Sequence, residues 1–426
     1  MLSILRSCLG LALTAVLCGS PPSRAATDSD DAALSLSSAP VESAVEGGRR
    51  TRLFIEGAIG AGDKRDGSGY RDIRRGSIDF TYIGALAPGW RAVLSDRLDS
   101  VKPNDLPGDS TINSLREAYV SWQPEGAKAV VDLGRVNLRY GPAYGFNPTD
   151  FFRDGALRTI TSLDPIALRE NRLGTVVLRG QHLWSAGSVS LAYSPKIESR
   201  PSDNGWSLDL GATNNRDRGL LVLSSRLSDR ISGQALLYKE RGSSAQVGAS
   251  LTALLSDAIV GYAEWSRGSE ISLLDRALGL QGTSTKRNRL AAGVTYTTSG
   301  KLSITGEYQY NGFALDPAGL DALRAAPPAA MDAYVLEAVR RQDPASRKAY
   351  LLYLTQKGIG LKGLDLTALL RINGGDHSRL GWLELRHHWS RFDLALRLQQ
   401  QGGRDASEYG VLRDRRSAQL VAAYYF

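Results

Sequence analysis

From residue 49 onward the chain alternates apolar and polar residues in segments of roughly ten. Between 302 and 311, Leu302, Ile304, Tyr308 and Tyr310 oppose Ser303, Thr305, Glu307, Gln309 and Asn311. Between 391 and 399, Phe392, Leu394, Leu396 and Leu398 oppose Arg391, Asp393, Arg397 and Gln399. Between 287 and 297, Leu290, Ala292, Val294 and Tyr296 oppose Arg287, Arg289 and Thr295. Period-2 patterns of this kind predict strands with one apolar and one polar face. The last one runs to the end of the chain, where Ala418, Leu420, Ala422, Tyr424 and Phe426 interleave with Arg415, Ser417, Gln419, Val421, Ala423 and Tyr425. The pattern is blurred around Gly134 and Ile259.

Connections between the segments alternate in length. Short turns fall at 88–89, 124–126, 185–187, 228–229, 256–257, 299–300, 358–363 and 390–391. Longer loops lie at 61–69, 100–112, 140–171, 196–215, 241–244, 268–285, 312–346, 374–377 and 402–414. Eight turns and nine loops separate eighteen strands. If both ends of the strand array lie on one side, the number must be even, and every turn then falls on that side with every loop opposite. Trp206 to Leu210 also alternates, but counting it breaks the parity, so it belongs to the fourth loop. One hairpin merged or missed gives 16 or 20 strands instead.

The predicted fold is all-β: a transmembrane antiparallel β-barrel of about 18 strands. In lipid every backbone N–H and C=O needs an internal partner, and a closed barrel supplies them without leaving edges. A soluble sandwich also alternates, but charged residues opposite Leu and Tyr stripes suit a wet lumen. Aromatics near strand ends, Trp90, Trp122, Trp184, Trp389 and Tyr424, suit interfacial girdles.

The one long apolar run is N-terminal. Residues 1–25 carry Arg6, an apolar stretch from Cys8 to Cys18 and small residues near Ala25, as a secretory signal peptide does. Both cysteines lie inside it, which leaves no disulfide or thiolate chemistry in the remaining chain. Lipidation of Cys18 is disfavoured by the bulky Leu17 before it. Residues 26–48 are rich in Ser, Ala and acids without periodicity, and are expected to form a flexible periplasmic leader. The barrel then spans 49–426. The net charge of +8 falls to +6 when Arg6 and Arg24 leave with the signal. It is spread along the chain, which argues against nucleic acid as a partner.

The most specific stretch surrounds the third loop. Leu115-Arg-Glu117-Ala118-Tyr119 is followed by Gly134-Arg135, then by a glycine-rich segment into Asn147-Pro148-Thr149-Asp150. This order resembles porin-like outer-membrane families of Gram-negative bacteria, the alginate-export type and related porins among them. The motif covers about 40 residues of this chain. A final strand ending in Phe426 similarly resembles the terminal signal of outer-membrane barrels, with Tyr424 and Phe426 as its aromatic residues. These resemblances imply the cell outer membrane, a passive channel narrowed by its long loops and delivery by the barrel-assembly machinery. Outer-membrane lipids would surround the barrel. No residue-by-residue match to a polysaccharide-binding lumen carries over.

The third loop is long for a barrel connection, and such loops are commonly functional. Its charges, Arg139, Asp150, Arg153, Arg158, Asp164, Arg169 and Glu170, either face a constriction inside the barrel or pair on an exposed loop top. On the strands, Arg135, Arg287, Arg289, Arg371, Arg386 and Arg397 are read as lumenal, against Glu117, Glu307, Glu384 and Asp393. That excess of arginine gives small hydrophilic solutes with a modest anion preference, or merely a wet, self-paired lumen. In the seventh loop, Met331, Tyr334, Val335 and Ala338 have helical spacing within 329–341, as a lid or an ordered surface loop. Among the four histidines, His387 and His388 point to opposite faces, and only His377, between Asp376 and Ser378, is placed as a base. No cofactor, metal or enzymatic activity is expected. A barrel that binds, anchors or exports a surface polysaccharide is the alternative function, and a homo-oligomer is compatible with either.

Overall fold

The computed structural model describes residues 50–104 and 106–426. The expected signal peptide (1–25) and leader (26–48) lie outside the described residues. The rest folds as one closed antiparallel sheet of eighteen strands, each paired with its neighbours in sequence. The first half contains β1 (Arg50–Lys64), β2 (Tyr70–Ala87), β3 (Trp90–Lys102), β4 (Thr111–Trp122), β5 (Ala129–Val136), β6 (Thr175–Trp184), β7 (Gly187–Ser194), β8 (Arg218–Ser228) and β9 (Ile231–Glu240). The second contains β10 (Gln246–Ser256), β11 (Ile259–Glu270), β12 (Thr285–Thr297), β13 (Leu302–Asn311), β14 (Lys348–Gln356), β15 (Leu364–Asn373), β16 (Arg379–His388), β17 (Phe392–Gly402) and β18 (Asp414–Tyr425). β18 closes the ring against β1, from Phe54 opposite Tyr425 to Lys64 opposite Asp414. The final residue adds a bond from its N–H to the Leu53 carbonyl, 3.1 Å. Every expected turn and loop marks a junction between the strands it was expected to separate, although strands run into several of them, β1 to Lys64, β3 to Lys102 and β11 to Glu270.

Burial along each strand is inverted relative to a soluble protein. Leu191 is 62% exposed and Ile59 58%, whereas Glu264 is 0% and Asp393 4% exposed. Apolar side chains stand outward and charged ones inward, the arrangement a lipid exterior stabilises. Trp90 and Trp122 pair across β3 and β4 at the short-turn end, ring centroids 6.1 Å apart, where an aromatic girdle belongs. Among the described residues no helix is long and apolar enough to cross a membrane; the strands do the crossing.

The wall is uneven. β1 to β4 run to 15, 18, 13 and 12 residues, but β5 and β7 to only 8 each. β5 pairs with β4 from Val131 opposite Trp122 up to Arg135 opposite Ala118, and after Val136 the chain leaves the wall. This leaves Thr111 to Glu117 without a β5 partner. Main chain from elsewhere fills the gap. The Gly174 N–H donates to the Arg116 carbonyl (2.8 Å), and the Asn113 N–H donates to the Gly205 carbonyl (2.7 Å). Both glycines are sterically required: a Cβ on Gly205 would sit 1.8 Å from the Thr111 carbonyl oxygen, and one on Gly174 2.4 Å from that of Arg116. The Trp206 to Leu210 alternation has its explanation here. The segment forms no sheet, yet it lies beside β4 with Trp206 and Leu208 exposed and Asp209 buried. It alternates because it patches the wall.

Candidate functional site

Residues 137–174, the third loop, do not sit on top of the barrel. They cross its interior, and hydrogen bonds to widely separated strands fix the path. Glu264, inward on β11, accepts from the N–H groups of Ala143 (2.6 Å) and Thr149 (3.3 Å), the Thr149 hydroxyl (2.8 Å) and the Asn147 amide (3.0 Å). Glu307, inward on β13, accepts from the N–H groups of Tyr144, Gly145 and Phe146 at 2.8, 3.0 and 3.1 Å. The Tyr262 hydroxyl also donates to Glu307, at 2.8 Å. A carboxylate receiving several N–H groups is a strong, directional anchor, and each bond to a charged group contributes roughly 1.5–3 kcal/mol. Further on, the Thr161 carbonyl accepts from Arg75 on β2 and from Arg397 on β17, the latter at 2.8 Å. Tyr353 on β14 donates to Asp164 at 3.0 Å.

Most of the loop's own charges hold the loop, and several of them also line the cavities beside it. Asp150 accepts from Arg172 at 2.7 Å and is wholly buried. Arg153 lies over the Phe146 ring, pairs with Asp343 at 2.5 Å and donates to the carbonyls of Asn147, Asp150 and Arg341. Arg158 donates to the carbonyls of Asn113 (2.6 Å), Ser207 (2.8 Å) and Asn204 (2.8 Å), tying the loop to the wall patch. Asp164 caps the short helix α1 (Pro165–Glu170), accepting from the Ile166 N–H at 3.2 Å, and burial pushes its carboxyl up to about 6. Arg169 donates to the carbonyls of Tyr140 and Gly141, both at 3.1 Å, and burial lowers it to about 10. Arg139 is half-buried and Glu170 exposed. Carbonyl-rich loops need buried donors, and a guanidinium supplies five of them, which is why arginines are the staples here.

The strand charges divide. Arg135 corrects the sequence expectation. Its register places it on the face of outward Ala118 and Val176, not that of inward Tyr119 and Val177. The fourth loop roofs it, with bonds to the carbonyls of Gly174 (3.0 Å) and Leu208 (2.6 Å). The blurred pattern at Gly134 concealed that side switch. Glu117 accepts from the Asn137 N–H at 3.2 Å, where the loop begins its inward course. Arg289 forks onto Glu270 at 2.8 and 3.0 Å. Arg287 donates to the Gly312 carbonyl at 2.8 Å, near the mouth. Arg386 pairs with Glu384 (2.8 Å) and Asp393 (3.4 Å), and Arg397 pairs with Glu384. Arg371 lines the passage described below.

Sequence reading missed the other half of this stripe, which crosses the closing seam. Arg75 and Arg97 meet Glu56 at 2.7 and 3.4 Å; Arg97 also meets Asp99 at 3.0 Å; Arg116 forks onto Asp79 at 2.7 and 2.9 Å. The inward parity of Glu56, Asp79 and Arg97 was available in the sequence. Arg116 was not, because it is the extra residue of β4 where adjacent Ser95 and Asp96 on β3 pair with Glu117 and Leu115. Glu264 lies in one of the blurred segments.

Two cavities flank the loop. One of about 700 Å³ runs against β13 to β18 and β2, lined by Arg75, Arg371, Arg397, Gln309, Gln399, Gln401, Trp382 and Tyr144. The other, about 1120 Å³, opens beneath the fourth loop among Arg158, Asp209, Ala212, Arg218 and Glu270. The seventh loop overhangs both. Its helices α2 (Pro317–Arg324) and α3 (Pro328–Arg341) bury Leu320, Leu323, Met331, Tyr334, Val335 and Ala338 in one cluster with Leu273. Asp343, at the end of that loop, is buried, yet Arg153, Arg289 and Arg341 hold its carboxyl down at about 2. Asp376 and Ser378 tie the eighth loop to the ninth, accepting the N–H groups of Glu408 (2.8 Å) and Tyr409 (3.3 Å), while His377 is exposed. Among the described residues no group of three or more His, Cys, Asp or Glu could hold a metal ion.

No protein family and no curated protein matches the sequence. Solved structures do match the fold. OccK11 (OpdR) of Pseudomonas aeruginosa is 12% identical with a TM-score of 0.55, over 89% of this chain and 96% of that one. OccAB1 of Acinetobacter baumannii is 11% identical with a TM-score of 0.56, over 89% and 96%. OccK5 (OpdH) of P. aeruginosa is 11% identical with a TM-score of 0.54, over 89% and 98%. At such identities the likeness is one of fold, a porin-like barrel of eighteen strands, and it does not extend to the alginate-export type in particular.

Proposed function

We propose that this chain is an outer-membrane porin through which small hydrophilic solutes diffuse passively, with a modest preference for anions. One observation carries the reading. A loop is strung across a closed barrel by Glu264 and Glu307 on one side and by Arg75 and Arg397 on the other. That leaves a cavity beside the loop into which Arg75, Arg371, Arg397, Gln309, Gln399 and Gln401 reach among apolar residues. Field in a narrow passage depends on the charges that remain after pairing. Arg75, Arg97, Arg116, Arg386 and Arg397 meet Glu56, Asp79, Asp99, Glu384 and Asp393 one for one, and Arg371 adds a cation whose acidic neighbour in the cavity is the buried Glu408. The motif from Leu115 to Asp150 builds the departure of β5 and the first anchor of the loop. Its resemblance to alginate-export porins is therefore taken as one of channel architecture, not of cargo. Tyr424 and Phe426 stand at the seam end of β18, where the assembly machinery would read them.

Purified protein in a planar bilayer is expected to give steady channels, and absence of conductance overturns the proposal. In a salt gradient the reversal potential is expected to favour anions, and Arg371→Glu to move it towards cations. An unmoved potential would mean that Arg371 does not line the conducting path.

A further inference from the structure

At the loop-bearing rim the outward face changes character. On β2 the outward residues Tyr82, Phe80 and Ile78 give way to Gly76 and then Arg74. On β12, Tyr296, Val294 and Leu290 give way to Asn288 and then Lys286. At the same rim β3 ends at Lys102, β14 opens at Lys348, β16 opens at Arg379, and Arg267 lies near the end of β11, three residues before Glu270. Register fixes their direction. Arg74 faces outward Ile59, Arg267 faces outward Val247, Lys348 faces Tyr310 and Arg379 faces Ile372. All six are exposed.

These cations differ from those of the lumen. Inside, Arg75, Arg97, Arg116, Arg386 and Arg397 each meet a carboxylate. Outside, Arg74 alone of the six pairs with an acid, Asp72 at 3.1 Å, itself exposed. Two arrangements concentrate like charge. Arg74 and Lys102 are directly opposite on neighbouring strands. Arg267 is opposite Asn288, which makes Lys286 its diagonal neighbour. Like charges opposed across a sheet destabilise it unless an anion lies between them. A phosphate offers several oxygens to two such donors at once.

We propose that this collar binds phosphate-bearing lipid headgroups of the surrounding leaflet, with Arg74–Lys102 and Arg267–Lys286 as its two clamps. Height selects the source. The clamps sit just above the apolar stripe, where headgroups lie and where basic residues meet anionic lipid. The inference rests on the outward wall being lipid-facing, as the porin reading requires, but not on conduction.

The test uses the full chain in detergent, with native mass spectrometry and diphosphoryl lipid A as the probe. Bound lipid A is expected to survive, and its dephosphorylated form to bind at least tenfold more weakly. Each near-surface cation contributes about fivefold, so the double variant Lys102→Ala, Lys286→Ala, which removes one cation from each clamp, should weaken each site about fivefold. Its single-channel conductance should equal that of the parent. Equal binding of the dephosphorylated lipid, or undiminished binding by the variant, overturns the proposal. Inorganic phosphate competing at the same concentration as lipid A also overturns it, by making the clamps free-anion sites. A channel that fails to conduct yet retains phosphate-dependent lipid binding would separate the failure of the porin reading from this one.

Discussion

Glu264 and Glu307 hold the third loop by collecting its N–H groups, so each is worth more than its charge. Replacing Glu307 by Gln keeps the shape but puts a donor where the Tyr144, Gly145 and Phe146 N–H groups need acceptors. Unsatisfied buried donors cost roughly 1–3 kcal/mol each. Glu307→Gln is therefore expected to loosen the loop while the barrel stays folded, seen as noisier open-channel current and higher mean conductance. Unchanged noise with a heat-resistant barrel would mean that the anchor does not hold the loop. Two loop carboxyls have raised affinity for protons, Asp164 within the third loop and Glu408 in the lining of the first cavity. Burial brings Asp164 to about 6 and Glu408 to about 7. As pH falls through about 7 and then about 6 the two become neutral in turn, and the cavity loses the negative charge of Glu408. Anion preference should thus rise as pH falls from 8 to 5, followed by reversal potential, and Glu408→Gln should remove the upper part of that change. Because both pKa values lie above those of an unfolded chain, their contribution to stability is lost as pH rises through that window.

The early departure of β5 is what creates both the constriction and the weakness in the wall. A strand of 8 residues beside one of 12 leaves β4 with unpaired main chain, and the fourth loop covers it. Trp206 should then contact lipid. Quenching by brominated acyl chains should fall when Trp206 is replaced by Phe, and equal quenching in both would place the loop away from the membrane. The helix expected at 329–341 forms over Pro328–Arg341 with its apolar face buried, since Met331, Tyr334, Val335 and Ala338 follow helical spacing within a single element. Its position over the mouth was not in that spacing. It follows from Arg341 meeting Asp154 on the third loop and Glu270 at the end of β11, partners on two other segments.

For the molecule as a whole, closure is the decisive event. Only when β18 meets β1 do Arg397 and Arg75 come close enough to share the Thr161 carbonyl. The sequence by itself determined the strand number, the turns, the side on which each loop lies and the apolar exterior. All of these are local, because a two-residue period and the residues of a tight turn are written where they act. It also contained the wall patch, as an alternation at Trp206 that did not fit the strand count. The tertiary structure alone decided which charges are lumenal and which are scaffolding. Arg135 changed faces where β5 and β4 part. Asp150 and Arg153 turned out to be internal staples. Glu264 and Glu307 found N–H partners more than a hundred residues away. Such partnerships depend on how a closed barrel brings distant strands opposite one another, and no short-range pattern encodes that distance.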